Sequence, residues 1–348
     1  YPTPVRVESS PKAVTLMDPT DPAVRSLIQR ISDRTVFLFP PSSNTEARLD
    51  LDMHPVRFTP AFQRTELEVK SLPSPLEASE QSACDWALEG LRPQSLSIAQ
   101  LEQGLPACPP AVAFALGCAL AELAGLVGAE PPGWLPAPLS AQLLPAGAAM
   151  LECLETLLGG CGAQSPLTLK WKVAVEVDKD ERHWLDLLLQ QLPATAQLRL
   201  DANGGWDRST ATAWMERLRA DSRFAWLEQP LAVEDHEGLE ALARLGPVAL
   251  DESLAQHPSL RQGWSGWQVR RPSQEGDPRP LLKDLQAGLP RCMVSTAFET
   301  GIGRRWLDHL AGVQWTGPTP AAPGLAPGWC PPGPLFSKEP EQVWQAAV

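Results

Sequence analysis

The sequence predicts an α/β fold, a barrel of parallel strands in which each strand is followed by a helix. From about residue 139, short apolar segments alternate with amphipathic segments of about ten to fifteen residues. Parallel strands need such crossovers, and eight strand–helix units in about 180 residues fit a compact barrel. A doubly wound open sheet is the alternative, but no G-x-G-x-x-G motif follows the first apolar segment.

The predicted strands are short and apolar, and eight of them close a barrel of this kind. They lie at Ser140–Leu144, Thr168–Val175, Gln197–Asp201, Phe224–Gln229, Val248–Asp251, Trp267–Arg271, Arg291–Ala297 and Val313–Gly317. Amphipathic segments predict helices between them, at Ala148–Leu158, Asp180–Gln191, Ser209–Ala220, Asp235–Leu245, Pro280–Ala287 and Gly303–Ala311.

Two further regions flank the barrel, which we assign to residues 136–325. Residues 1–135 contain strand-like fragments interrupted by prolines, which predicts a divergent N-terminal α+β capping domain. Eight prolines fall within the last 31 residues, and proline interrupts regular helix. We therefore expect residues 326–348 to form a tail of loop and extended chain that packs back on the capping domain.

Composition excludes several classes of protein. The chain has 29 basic and 41 acidic side chains and a net charge of −12, the wrong sign for binding nucleic acid or anionic lipid. The apolar segment Ala111–Gly128 is rich in alanine and glycine and contains Glu122, which favours a buried helix over a membrane span. Seven cysteines without a C-x-x-C pair predict free thiols in a reducing compartment. We therefore expect a cytoplasmic protein that binds no nucleic acid and does not insert into a membrane.

Acidic side chains end three consecutive predicted strands, at Asp201, Glu228 and Asp251. The active site of a β/α barrel lies at the carboxyl ends of its strands, and neighbouring strands are about 4.8 Å apart. The three carboxylates are therefore close enough to share one ion, and an all-oxygen set favours Mg²⁺ over zinc. A single carboxylate at such a position is equally well explained as a helix N-cap, but three in succession favour a metal site.

The second predicted strand carries the opposite charge. Lys170 and Lys172 are two residues apart and so share one face of the strand. They are two of only seven lysines in the chain. Repulsion between like charges lowers the pKa of an ammonium group, and this turns a lysine into a base near neutral pH. Two solvated lysines on an edge strand are the alternative.

These motifs together resemble a known family. The order K-x-K, D-x-N, E-Q-P and D-E-S on successive strands, with STAFETGIG at 295–303, is similar to the enolase superfamily in its muconate-lactonizing branch. The resemblance covers about residues 105–325. It implies a (β/α)7β-type TIM barrel with an N-terminal α+β capping domain. It also implies a Mg²⁺-dependent lyase, with Mn²⁺ as an alternative metal, that removes water from 2-succinyl-6-hydroxy-2,4-cyclohexadiene-1-carboxylate.

The resemblance also implies a role for each site residue. Lys172 would be the base that removes a proton from the substrate, Lys170 would keep the pKa of Lys172 low, and Asn203 would orient a metal ligand. The metal ligands would be the three strand-end carboxylates, Asp201, Glu228 and Asp251. The expected contacts to the succinyl side of this small carboxylate substrate are Ser295, Thr296 and Gly324.

One residue departs from the family pattern. Where the family has a lysine at the end of the sixth strand, this chain has Arg271 before Pro272. Arginine stays protonated, so Arg271 can stabilise an anion but is a poor base. A racemase needs proton transfer on both faces of its substrate, whereas a syn dehydration needs one base. Arg271 therefore favours the lyase, with an N-succinylamino acid racemase, a dipeptide epimerase or a non-catalytic relative as alternatives. The sequence leaves both a monomer and a homo-oligomer open.

Overall fold

A computed structural model describes residues 98–128, 133–160, 167–326 and 333–347 of the chain. Among these residues, two helices precede the sheet, α1 (Ile98–Gly104) and α2 (Pro110–Leu123), with a turn of 3₁₀ helix at Leu105–Ala107 between them. Strands and helices then follow in the order β1 (Gln142–Leu144), α3 (Ala149–Gly160), β2 (Thr168–Lys172), α4 (Asp178–Gln191), β3 (Gln197–Asp201), α5 (Arg208–Leu218), β4 (Phe224–Glu228), α6 (His236–Leu245), β5 (Val248–Leu250), α7 (Glu252–Gln256), α8 (Leu260–Gly263), β6 (Trp267–Arg270), α9 (Pro272–Glu275), α10 (Arg279–Gln286), β7 (Cys292–Val294) and α11 (Gly301–Trp315). A 3₁₀ turn at Pro334–Phe336 and helix α12 (Pro340–Ala347) end the described chain.

The seven strands form one parallel sheet in which each strand pairs with the next along the chain, from β1 to β7. The register places Lys172 beside Asp201, and Asp201 beside Glu228. In the next pair Glu228 lies beside Ala249, so Asp251 follows two residues later at the same edge of the sheet. The α/β barrel fold is confirmed, and the first seven predicted strands are present, β3 with the predicted bounds and the other six in somewhat shorter form.

The eighth predicted strand, Val313–Gly317, is wrong. Most of this segment continues helix α11, which extends to Trp315. A segment of five residues is too short for its pattern to distinguish a strand from a buried helix, and here the helical pattern of α11 continues as far as Trp315. The residue next to β7 is instead Gly324, which forms a parallel bridge with Ser295.

Backbone hydrogen bonds join the segment around Gly324 to both edges of the sheet. The amide of Gly324 donates to the carbonyl of Val294 at the end of β7, at 2.9 Å. On the other side, the amide of Ala141, just before β1, donates to the carbonyl of Pro323 at 2.9 Å. Proline has no amide hydrogen and cannot continue a ladder, so the eighth position of the ring holds a short extended segment in place of a regular strand.

Two sets of apolar side chains pack on the two faces of the sheet. Leu169 and Trp171 are fully buried against the surrounding helices. Because side chains alternate along a strand, Lys170 and Lys172 face the barrel interior, as predicted. On that interior face Trp226, Ala249 and Met293 pack together, each two residues before a polar residue at its strand end. They form the floor beneath the site.

Helix α2 confirms the prediction of a buried helix within Ala111–Gly128. Its residue Glu122 is 1% exposed and accepts hydrogen bonds from the side chains of Trp306 and Arg305 on α11. This contact fixes α2 against the barrel. In the part of the chain that the structure describes, no helix is both long and apolar enough to span a membrane.

The tail differs from its prediction, because residues of α12 are helical. Pro340 stands at the start of that helix, where a missing amide hydrogen costs nothing. The backbone of Ser337 lies so close to Gly301, at the start of α11, that a Cβ on residue 301 would overlap the Ser337 backbone. Lys338 pairs with Asp308, also on α11.

The first 97 residues of the capping domain lie outside the described residues. The predicted domain boundaries and the packing of the tail on that domain therefore stay predictions.

Candidate active site

Polar side chains meet at the carboxyl ends of the strands. Lys170 and Lys172 come from β2, Asp201 from β3 and Glu228 from β4, and Asp251 directly follows β5. The register described above puts these ends at one level, because parallel strands expose their carboxyl ends at one edge. The structure thus brings together the residues that the sequence predicted to form the site.

The ammonium of Lys170 lies between two of the carboxylates. Its Nζ is 2.7 Å from Oδ2 of Asp201 and 2.6 Å from Oε1 of Glu228. Burial alone would lower the pKa of Lys170, but Asp201, Glu228 and Asp251 outweigh burial and raise it. Lys170 is therefore a fixed cation in the site, and the expectation of a lysine with a lowered pKa does not apply to it.

The three carboxylates are almost completely buried, with residue exposures of 7% for Asp201, 0% for Glu228 and 5% for Asp251. Burial raises the pKa of Glu228 to about 7, with Lys170 opposing the shift and Asp201 and Asp251 adding to it. Carboxylates with so little exposure to solvent need a cation to balance their charge.

The donor set fits a hard divalent ion. Three buried carboxylates supply only oxygen atoms, the ligands that Mg²⁺ prefers, and the Lys170 ammonium already shows that a cation is held between two of them. Among the described residues, no three acidic, histidine or cysteine side chains converge into a ready-made metal cluster. Two carboxylates are paired with Lys170, and Asp251 is paired with Arg271.

Arg271 is fixed by two strand ends at once. Its Nε donates to Oδ1 of Asp251 at 2.8 Å, its Nη2 donates to Oδ2, and its Nη1 donates to the carbonyl of Thr296 at 2.6 Å. Burial of Asp251 would raise the pKa of its carboxyl, but Arg271 outweighs burial and lowers it. The guanidinium is therefore part of the site, where it is bound to a predicted metal ligand.

Asn203 connects two acidic residues of the site. Its backbone amide donates to Oδ1 of Asp201 at 3.2 Å, and its side-chain Nδ2 donates to Oε1 of Glu252 at 2.9 Å. Asn203 has a φ of 45°, a left-handed conformation that asparagine adopts more readily than most residues. The residue expected to orient Asp201 thus contacts it through the backbone.

Lys172 differs from Lys170 in its surroundings. It faces the same interior side of β2 and is half-buried. In the described part of the chain, its ammonium has no hydrogen-bond or ion-pair partner, whereas Lys170 has two. An ammonium without a fixed partner at the carboxyl end of a strand is free to approach a substrate.

The predicted substrate contacts also lie together. The Ser295 hydroxyl donates to the carbonyl of Gly324 at 3.2 Å, and the amide of Thr296 donates to the same carbonyl at 3.0 Å. A Cβ on Gly324 would lie 3.0 Å from the hydroxyl oxygen of Ser295, so only glycine fits easily. The Thr296 hydroxyl donates to Oε2 of Glu299 at 2.6 Å.

Three charged residues of the site were missed from the sequence. Glu252 receives the Asn203 hydrogen bond, and Glu299 binds the Thr296 and Ser273 hydroxyls. Arg199 is 2% exposed, and its guanidinium carbon lies 4.0 Å from the ring centroid of Trp226 on the floor. Each carried a signal in the sequence, since Glu252 and Glu299 lie inside the quoted motifs and Arg199 is two residues before Asp201 on the same strand face.

The sequence matches both a family model and known proteins. Residues 166–264 match the family model described as enolase C-terminal domain-like. The chain is 34% identical over 249 residues to the o-succinylbenzoate synthase of Thermosynechococcus vestitus, an alignment that covers 68% of this chain and 74% of the relative.

Solved structures give the same result at the level of the fold. The crystal structure of o-succinylbenzoate synthase from Thermosynechococcus elongatus BP-1, complexed with Mg in the active site, is 28% identical with a TM-score of 0.58, covering 88% of this chain and 85% of that one. The L-Ala-D/L-Glu epimerase from Bacillus subtilis shares the fold at 20% identity and a TM-score of 0.55, covering 69% and 72% of the two chains. On the 34% identity across 74% of its relative, this chain belongs to the o-succinylbenzoate synthase family of the enolase superfamily, a family of carbon–oxygen lyases.

Proposed function

We propose that the chain is a Mg²⁺-dependent o-succinylbenzoate synthase. It would remove water from 2-succinyl-6-hydroxy-2,4-cyclohexadiene-1-carboxylate and release the aromatic product o-succinylbenzoate, for menaquinone or phylloquinone biosynthesis in the cytoplasm or plastid stroma. The observation that carries the proposal is the group of three buried carboxylates at the ends of β3, β4 and β5, beside two lysines on one face of β2.

The two lysines divide the work between them. Lys170 is held by Asp201 and Glu228, and the raised pKa of its ammonium keeps it charged. It supplies fixed positive charge to the site. Lys172 faces the same interior without a fixed partner among the described residues. Lys172 would therefore remove the proton beside the substrate carboxylate and return it to the departing hydroxyl group on the same face.

The carboxylates would hold the metal ion. Asp201, Glu228 and Asp251 are the ligands that we propose for Mg²⁺, which would stabilise the negative charge that develops on the substrate carboxylate. Asn203 would keep Asp201 in place through the amide hydrogen bond described above. Ser295 and Gly324 would line the succinyl side of the substrate.

Arg271 argues against chemistry on two faces of the substrate. The guanidinium is bound to Asp251 through two hydrogen bonds, and arginine does not lose its proton at any working pH. A racemase or epimerase needs a second proton-transfer group opposite the first. Arg271 occupies the position of that group in the family pattern, so a syn elimination with Lys172 as the single base fits the site better.

The deciding experiment is a direct assay. The purified chain is incubated with the cyclohexadiene substrate and Mg²⁺, and the aromatic product is followed by its absorbance. We expect turnover that EDTA abolishes. Lys172→Ala should lower kcat by about a hundred- to ten-thousand-fold, whereas Lys179→Ala, an exposed lysine on α4, should leave kcat unchanged.

Two results would overturn the proposal. If well-folded protein with Mg²⁺ forms no aromatic product, the synthase activity is refuted. If Lys172→Ala keeps its turnover, the base is another residue. A parallel incubation with an N-succinylamino acid in deuterium oxide tests the alternative, because racemisation at a rate comparable to dehydration would show proton transfer on both faces.

A further inference from the structure

A single carboxylate holds the loop that follows the proposed base. Glu181, in the first turn of α4, accepts hydrogen bonds from three consecutive backbone amides, those of Ala174, Val175 and Glu176, at 2.9, 3.0 and 3.1 Å. These residues begin two positions after Lys172. The Glu181 side chain is completely buried. Hydrogen bonds to an ionised acceptor are about twice as strong as those between neutral groups, so the loop is bound firmly at this point.

Apolar packing does not hold this loop. Val175 is 48% exposed and Val177 is 66% exposed, so the two large apolar side chains of the loop contribute little buried area. Ala174 adopts a φ of 62°, a left-handed conformation that is unfavourable for alanine. Such a conformation persists only where the surrounding structure enforces it. Glu181 is the group that binds the amide of Ala174 itself.

The loop also contacts the strand that carries a proposed metal ligand. The amide of Val173 donates to the carbonyl of Asp201 at 2.9 Å. A Cβ on Gly205 would lie 2.8 Å from the Cβ of Ala174, so the two loops touch with no room for a side chain between them. A shift of the Ala174 backbone would therefore move Lys172 relative to Asp201.

We propose that Glu181 is a positioning residue for Lys172. It holds Ala174 in its left-handed conformation and so fixes where β2 ends and where the ammonium of Lys172 lies relative to the carboxylates. The inference rests on the proposed function, because it assigns Lys172 the role of base. Glu181 itself does not touch the substrate.

The test compares Glu181→Gln with a matched control. Glutamine keeps the size of the side chain but loses its charge and turns one acceptor oxygen into a donor. We expect kcat for dehydration to fall by about 100-fold, the loss that a misplacement of about 1 Å causes, with KM changed less than twofold. Asp207→Asn is the control. Asp207 caps the next helix, α5, through a 2.7 Å hydrogen bond from the Thr210 amide, and its replacement should leave kcat within twofold of wild type.

A second substitution separates positioning from general destabilisation. Glycine adopts positive φ without cost, so Ala174→Gly added to Glu181→Gln should recover at least tenfold in kcat. A merely structural role would give no such rescue. If the single variant does not fold, Ala174→Val perturbs the same backbone with Glu181 in place, and it should also lower kcat.

Amide hydrogen exchange gives a readout without turnover. Exchange at residues 174–176 should accelerate at least tenfold in Glu181→Gln, and exchange in α5 should not change. If wild-type protein shows no dehydration, the proposed function is refuted, whatever the exchange shows. If wild type is active and Glu181→Gln keeps its kcat within twofold, or if Ala174→Val does so where the first variant is unfolded, the inference is overturned.

Discussion

Replacement of Arg271 by methionine tests the most constrained ion pair of the site. Methionine keeps much of the length of the side chain and removes its charge. In the folded protein the Arg271 side chain is 23% exposed and the Asp251 side chain is 6% exposed. The variant would thus leave the Asp251 carboxylate buried without its partner, and would also remove the hydrogen bond to the Thr296 carbonyl.

The size of the effect follows from this burial. Removal of one member of a buried pair costs about 3–5 kcal/mol, and the partial exposure of Arg271 places the expected loss at the lower end, about 3 kcal/mol. For a chain of this length we expect the melting temperature to fall by about 4 °C. Arg271→Lys keeps a cation beside Asp251 but cannot form the planar two-bond contact. It should lose about 1–2 kcal/mol and keep its dehydration activity.

The assay is urea denaturation of the three proteins at pH 7 without metal, with kcat measured separately in Mg²⁺. The order of stability should be wild type, then Arg271→Lys, then Arg271→Met. The reasoning fails if the methionine variant is as stable as wild type, since Asp251 would then not depend on the pair. A loss of activity in Arg271→Lys with an intact melting temperature would show that the guanidinium contributes to the chemistry in a way that a simple cation cannot.

Three further predictions concern other buried groups. Lys170→Met removes the cation between Asp201 and Glu228, so without metal the free energy of unfolding should fall by about 3 kcal/mol. Mg²⁺ should raise the melting temperature of this variant more than that of wild type, and an equal rise would contradict the metal assignment. Gln229→Leu removes the amide that donates to Ser253 and accepts from the Asp251 amide, so the free energy of unfolding in urea should fall by about 2–3 kcal/mol. Burial lowers the pKa of His309 to about 4, so the folded state binds its proton less readily than the unfolded chain. As the pH falls from 6.5 to 4, His309 should account for about 3 kcal/mol of the stability that the wild type loses, and His309→Gln should remove that share of the slope.

The sequence was sufficient to predict that the two lysines and the strand-end carboxylates meet, because two regular periods determine their positions. Alternation along a strand places Lys170 and Lys172 on one face, and parallel strands place Asp201 and Glu228 at one edge. The partner of each side chain was not predictable in this way. The lysine pair suggested repulsion between its two ammonium groups as the dominant influence, whereas the register brings two carboxylates within hydrogen-bonding distance of the Lys170 ammonium. The spacing of two lysines along one strand does not show how close their side chains lie to those of neighbouring strands.

The errors in the fold have equally local causes. Val313–Gly317 is a segment too short to show its own period, and helix α11 extends into it. The density of prolines in the tail suggested extended chain throughout, but Pro340 stands at the one helical position that tolerates proline. Glu181 was not recognised because acidic residues are common in the first turn of a helix, and only the structure shows the three amides that point to it.

The segment around Gly324 has a consequence for how the chain folds. Ser140 and Pro323, which are joined by a 2.8 Å hydrogen bond, are 183 residues apart in the sequence. During synthesis on the ribosome, the β1 edge therefore waits for its neighbour until nearly the whole barrel has been made, and contacts of such long range form slowly. The same late event brings Gly324 against Ser295. Ring closure and the assembly of the proposed succinyl contacts are thus one step, so a chain stalled or cut before Gly324 would have an open, aggregation-prone sheet edge and an incomplete site.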